Sequence, residues 1–275
     1  MRIQHNIKAL NTQRTLSTNN SLEKKNVEKL ASGFRINRAA DDAAGLDISE
    51  EMRAQVTGLD QAFDNSKDGI SLVETIEGAM TEVHSMLNRM VALSIQSANG
   101  TYTSGNREMI QEEVDHLAEE IGRIKDTTNF NGLPLLQGDQ GKGRIVLQIA
   151  ETGISSSQLE VELPDLEPAK LGIKDISVRT ADDARAAVAE LEKGIDYVSQ
   201  QRGRVGAYEN RLASTANNLN TMNTNISASE SRIRDVNMAK EEMLRMKNDI
   251  LGESAQAMLA QANQVPEGIL PLLMQ

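Results

Sequence analysis

From Ala184 onward an apolar residue returns at every seventh position: Leu191, Val198, Val205, Leu212, Leu219, Ile226 and Ile233. Val188 and Ile195 fill a second seam position, which then passes to Arg202 and Glu209. A seven-residue apolar repeat held this long specifies a helix that lays one stripe against other helices. It predicts a helix over about 180–229, with Leu191, Val198, Val205, Leu212, Leu219 and Ile226 as its seam. Earlier in the chain Leu59, Val73, Met80 and Leu87 share one register, interrupted by Ser66, while Ile76, Val83 and Met90 share another. This predicts a helix over about 46–98, broken by Asn99-Gly100 and Ser104-Gly105. A further helix over about 105–127 carries Ile110, Val114, Leu117, Ile121 and Ile124 on one face, and ends before Asn131-Gly132. Then the period changes to two. Ile145, Leu147 and Ile149 alternate with polar positions, as do Leu159, Val161 and Leu163, across a turn-like stretch from Thr152 to Ser157. That is a β-hairpin over about 144–163.

The five prolines fit this division: Pro134, Pro164, Pro168, Pro266 and Pro271 leave 1–133 and 169–265 free of helix breakers. The fold class is therefore mainly α, an elongated coiled-coil rod of long helices from both chain ends with a small central hairpin. About 50 helical residues extend roughly 75 Å.

The two ends have wide apolar stripes and no core of their own. One runs through Ile3, Ile7 and Leu10 to Leu16, Val27, Leu30 and Phe34. The other has Met243, Ile250 and Ala257 in one register, with Leu244, Leu251 and Met258 beside it. Isolated helices of this kind are marginal, so they need each other or another subunit. Residues 1–40 hold eight Lys/Arg against two Asp/Glu, a local +6 in a chain of −11. A basic amphipathic helix suits a membrane surface, but here the opposite chain end offers the stripe a partner. Met80, Met90, Met109 and Met243 sit at seam spacing and are read as core fillers.

Composition removes most chemistry. The chain of 275 residues has no Cys and no Trp, and only three Phe and three Tyr. A thick aromatic core is excluded, as are disulfides, thiolate metal sites and thiol catalysis. The net charge disfavours nucleic acid. No apolar run is long enough to insert in a membrane, and the N-terminus lacks the apolar core and cleavage site of a signal peptide. Asp41 and Asp42, with Asp47, Glu50 and Glu51, lack the spacing of a calcium loop and read as solvated charges or a helix cap. His116 with Glu112, Glu119 and Glu120 reads as helix surface. No nucleophile elbow or phosphate loop occurs. No enzyme, metal or cofactor site is expected.

The stretch Leu30-Ala31-Ser32-Gly33-Phe34-Arg35-Ile36-Asn37-Arg38-Ala39-Ala40-Asp41-Asp42-Ala43-Ala44-Gly45-Leu46 closely resembles the signature of bacterial flagellins. The opening Met1-Arg2-Ile3-Gln4-His5-Asn6 resembles a flagellin start. Gln96-Ser97-Ala98-Asn99 is similar to the family's first break between rod helices, and Asn129-Phe130-Asn131-Gly132 with Leu135-Leu136 to the stretch before its hairpin. Glu209-Asn210-Arg211-Leu212, Ser231-Arg232-Ile233 and Leu259-Ala260-Gln261-Ala262-Asn263-Gln264 match its C-terminal arm. Asn237 stands where an acidic residue is common, Phe34 where Leu is common, and Pro271 in a tail normally free of proline. The outer variable domains of the family have no room between the hairpin and the helix that follows, so the resemblance is to a minimal form.

This resemblance implies a structural subunit that self-assembles into the flagellar filament for motility. It implies an inner tube domain from 1–45 plus 230–275, with a linking spoke over about 34–55, and an outer rod domain from 46–229. Filament assembly would fall to Ile3, Ile7, Leu10, Leu30, Phe34, Met243, Ile250, Leu251 and Met258. The partners implied are further copies of the chain, an export chaperone on the C-terminal segment, the filament cap and hook-associated proteins. The protein would be secreted through the flagellar export apparatus to the extracellular filament. A flagellin-sensing Toll-like receptor of the host would read Arg89, Leu93 and Glu113. A hook–filament junction protein, or another self-associating coiled-coil export substrate, is the alternative.

Overall fold

A computed structural model describes residues 6–138, 143–152 and 157–267, with the side chains of 265–267 left aside. Five helices account for most of it: α1 (Ile7–Ser32), α2 (Ala43–Ala98), α3 (Ser104–Thr127), α4 (Ala181–Arg234) and α5 (Met238–Glu267). Between α3 and α4 lie four short strands: β1 (Asn129–Phe130), β2 (Leu133–Pro134), β3 (Arg144–Gln148) and β4 (Gln158–Glu162).

Helix starts are set by short polar side chains that satisfy orphan backbone N–H groups. Asn6, Thr103, Thr180 and Asn237 each accept from the backbone N–H three residues on. Asp42 does the same for Gly45 at 3.0 Å, which places it as the cap of α2. Asn237, the departure from the usual acidic residue, keeps the capping oxygen at α5. α1 stops at Gly33, whose φ of 77° is the left-handed cap that glycine adopts without cost.

The chain divides into two compact units: Met1–Gln55 with Asn225–Gln275, and Val56–Thr224. In the middle unit the heptad stripes are its core. On α2, Leu59, Ser66, Val73, Ile76, Met80, Val83, Leu87 and Met90 are all buried. On α4 so are Ala184, Leu191, Val198, Val205, Leu212 and Leu219; Ile226, beyond that unit, is half-buried. α3 adds Ile110, Val114 and Ile121. Ser66 interrupts the pattern without leaving an unmet polar group, because its hydroxyl donates to the Ala62 carbonyl at 2.8 Å. The seam position that passes from Ile195 to Arg202 is held by charge: Arg202 donates twice to Glu77 Oε1, at 2.9 and 2.6 Å. Met109 is not a core filler. It is 72% exposed, since α3 turns the face bearing Ile110 and Val114 inward.

β3 and β4 form the expected antiparallel hairpin, with Ile145 opposite Val161 and Leu147 opposite Leu159. It lies on α2 at Gly69, where an added Cβ would come 2.6 Å from Leu147 Cδ1. A second hairpin, β1–β2, is an addition to the reading from sequence. Its turn is Asn131-Gly132, with φ of 50° and 79°. Positive φ at both central residues is the tight turn that Asn-Gly favours. It delivers Leu135 and Leu136 to full burial.

The segment 163–180 carries no helix or strand yet is tightly held. Leu166, Leu171, Ile173 and Val178 are buried. Gln111 of α3 accepts from the Val178 N–H at 2.6 Å and donates to the Ile176 carbonyl at 3.0 Å, and the Ser97 hydroxyl donates to the Val178 carbonyl at 2.5 Å. On the other side Gly194 of α4 lets the Leu171 carbonyl close in: a Cβ there would sit 2.7 Å from that oxygen. Gly194→Ala is expected to cost about 1–3 kcal/mol, the usual range for forcing a tight contact apart. Urea unfolding of the monomer measures it, and an unchanged midpoint would show that the segment yields freely.

Candidate assembly surface

In the terminal unit α1 and α5 pair antiparallel. The chain is pinned where they meet by a bridge between Phe34 and Asp235, with Arg35 N–H donating to the Arg234 carbonyl at 2.6 Å and Val236 N–H to the Gly33 carbonyl at 3.0 Å. Arg234 donates to Glu50 at 2.6 Å, and its guanidinium lies 4.9 Å from the Phe34 ring centroid. At the far end Asn6 donates to the Ala262 carbonyl at 2.7 Å.

The surface between these helices is polar and small. The buried positions are Asn19 and Asn26 on α1, seven residues apart, and Glu241 and Ala255 on α5. With its amide turned so that both ends meet a complementary group, Asn26 donates to Glu241 Oε1 at 3.1 Å and accepts from Asn248 at 3.0 Å. Gly252 faces Asn20, and the half-buried positions around them include Thr12, Glu23 and Arg245, with Leu16 and Leu259 as the larger apolar residues among them. Arg245 donates to both oxygens of Glu242 and holds that carboxyl below its ordinary range.

The apolar residues point the other way. Ile7, Leu10, Leu22 and Val27 are exposed on α1, as are Met238, Met243, Leu244, Met246, Ile250, Leu251 and Met258 on α5. Ile250 is 62% exposed and Met243 61%. Phe34 is exposed and Leu30 half-buried. Ile3 lies outside the described residues. The expectation that Met243 fills a core is therefore corrected, as is the expectation that the stripe of one end covers that of the other. Asn26, Glu241 and Asn248 satisfy one another, and Asn19 lies buried one heptad before Asn26. Placing them face to face leaves each apolar stripe outward.

Large apolar side chains left exposed together along a helix mark an interaction site. Among the described residues no group of three or more His, Asp or Glu could hold a metal, and no helix is long and apolar enough to cross a membrane. His116 is a surface residue beside Glu119.

On the middle unit Arg89 and Glu113 meet. Arg89 donates to Glu113 Oε1 through Nε at 2.9 Å and Nη2 at 2.7 Å, and both side chains are exposed. Leu93 does not share that exposed face: it is 2% exposed and belongs to the core. Spacing of four places it on the same side of α2, but that side is divided between water at Arg89 and the core at Leu93.

The comparisons with known proteins agree with this architecture. Residues 3–141 match the bacterial flagellin N-terminal helical region, and residues 188–273 the bacterial flagellin C-terminal helical region. The chain is 45% identical over 305 residues to the flagellin of Bacillus subtilis, covering 99% of this chain and 100% of that one. It is 46% identical over 275 residues to the flagellin of Halalkalibacterium halodurans, with the same coverage. It is 41% identical over 290 residues to a flagellar filament 33 kDa core protein of Treponema phagedenis, again covering 99% and 100%. Among solved structures, a crystal structure of Bacillus cereus flagellin superposes with a TM-score of 0.51 at 26% identity, over 61% of this chain and 94% of that one. A putative flagellar hook-associated protein of Vibrio parahaemolyticus shares the fold, with a TM-score of 0.60 at 13% identity, over 71% of this chain and all of the other. With both helical regions matched and full-length relatives well above a third identical, this chain belongs to the bacterial flagellins.

Proposed function

We propose that this chain is a structural subunit of the bacterial flagellar filament, and that it polymerises through the outward apolar stripes of α1 and α5. The observation that carries this reading is the helix pair itself: its buried positions are Asn19, Asn26, Glu241 and Ala255, while most of its large apolar residues stand outside. A free monomer gains nothing from such an arrangement, whereas a polymer buries it. The terminal unit then serves as the inner tube, with Ile7, Leu10, Leu30, Phe34, Met243, Ile250, Leu251 and Met258 at subunit contacts, and the middle unit as the outer rod, stabilised by the seam from Leu191 to Leu219, with Ile226 continuing the repeat beyond it. Ile3 extends the first stripe by sequence. Electron microscopy of purified protein after seeding in salt tests the reading: filaments are expected, and dispersed monomers at all concentrations would overturn it.

The working place of such a subunit is the extracellular flagellum. Export through the flagellar apparatus, a chaperone over the C-terminal segment, growth beneath a cap and junctions with hook-associated proteins complete the reading. An exposed apolar face on α5 supports the need for a chaperone before assembly. The hook–filament junction alternative rests on the fold likeness alone, whereas the full-length flagellin relatives favour the filament.

We also propose that the flagellin-sensing Toll-like receptor binds this monomer at the exposed Arg89–Glu113 pair, with Leu93 fixing the backbone beneath rather than touching the receptor. An exposed pair contributes little to folding, so Arg89→Ala and Glu113→Ala should leave the melting temperature within a degree or two. Each should reduce receptor activation about tenfold, as loss of a central arginine contact does. A cell reporter titrated with monomer measures this, and equal potency of wild type and both variants would remove the site.

A further inference from the structure

We infer that the exposed methionines of α5 form an oxidation site that controls polymerisation, an inference that rests on the assembly reading above. Met238, Met243, Met246 and Met258 are between 48% and 61% exposed, whereas Met80 and Met90, in the middle unit, are sealed in the core. The chain has no cysteine to intercept an oxidant. Its twelve methionines are its most oxidisable side chains, and exposure selects among them. Met243, Met246 and Ile250 follow i, i+3, i+7 spacing, so two of the thioethers share a face with the most exposed isoleucine of the stripe, one and two turns before it.

The oxidant is a peroxide. The Sδ lone pair attacks one peroxide oxygen, the O–O bond breaks and an S–O bond forms. For hydrogen peroxide, the second oxygen leaves as hydroxide and collects the proton, giving water. Sulfur is oxidised by two electrons and the peroxide reduced by two. A flexible apolar side chain thereby becomes a strong hydrogen-bond acceptor. On the free monomer the sulfoxide stays in water at no cost. In a subunit contact it is buried among Ile250, Leu251 and their like with no donor to meet it, which is unfavourable. Once the polymer has formed, the same contact shields the sulfur. Oxidation thus acts before assembly, and sulfoxide reduction reverses it.

The test treats purified monomer with hydrogen peroxide, maps sulfoxides by peptide mass spectrometry and measures seeded polymerisation. Oxidised wild type should keep its melting curve yet lose polymer yield by about tenfold or more, with recovery after methionine sulfoxide reductase. A variant with Met238, Met243, Met246 and Met258 all changed to Leu should give the same polymer yield after peroxide as before it, whatever its untreated yield. Met109 is an internal control, exposed on α3 and outside the stripe. Undiminished polymerisation of monomer oxidised at all four positions would overturn the inference, as would equal loss in the four-leucine variant. If that variant does not polymerise untreated, recovery of the oxidised wild type by the reductase decides: recovery supports the inference and no recovery overturns it. Filaments in which the four methionines oxidise as fast as in monomer would instead overturn the assembly reading, because the stripe would then not be buried.

Discussion

Leu212→Asp is expected to lower the melting temperature of the free monomer by about 10 °C or more. Leu212 is fully buried and its methyls lie against Gly69, beneath the β3–β4 hairpin. Losing a buried leucine side chain costs about 2–5 kcal/mol. The new carboxylate adds to that, because it must either be buried without a partner or prise the seam apart. Changes above about 4 kcal/mol are exceptional and come from this kind of substitution. In a unit of this size each kcal/mol moves the midpoint by about 2–4 °C. Circular dichroism of the monomer, below any polymerising concentration, gives the number. A curve matching wild type would mean that Leu212 faces water.

The double change Met243→Asp, Ile250→Asp is expected to abolish polymerisation while the monomer melts as before. Both side chains stand on the exposed face of α5, where substitutions usually stay within about 0.5 kcal/mol. In a polymer the same two positions would place unpaired charges in every subunit contact, repeated along the whole filament. Deleting residues 236–275 removes the stripe outright and should leave the middle unit folded, soluble and unable to polymerise. Sedimentation after seeding separates polymer from monomer. Filaments from either protein would show that α5 is not the assembly surface.

The heptad stripes were the legible part of this molecule. A core made of seams, with few aromatics, writes itself into the sequence with a fixed period, so the burial of Leu191 through Leu219 and of Val73 through Met90 followed directly. The β3–β4 register was legible for the same reason, since alternation admits one inward set. The terminal helices misled because apolar spacing tells where a stripe lies and not what covers it. Their inward face is marked by Asn19, Asn26, Glu241 and Asn248, residues ordinarily taken for solvent. Their recurrence at seven was the available signal. Leu93 and Met109 show the limit of spacing on a helix with two neighbours, where one residue's shift decides between core and water. The β1–β2 hairpin had its mark in Asn131-Gly132, read only as the end of a helix. Segment 163–180 had none, because its order comes from Gln111, Ser97 and Gly194, all distant in sequence.

The polar seam between α1 and α5 also bears on how growth begins. Two free copies that collide bury one stretch of apolar stripe against another and leave the rest of both stripes in water. A copy arriving at an existing end would meet more than one neighbour and bury more of its stripe at once. Spontaneous nucleation should therefore be rare and elongation fast, with a lag in dilute solution that added fragments eliminate. A chain built this way can be made and held at high concentration without setting, and grows where an end is already present.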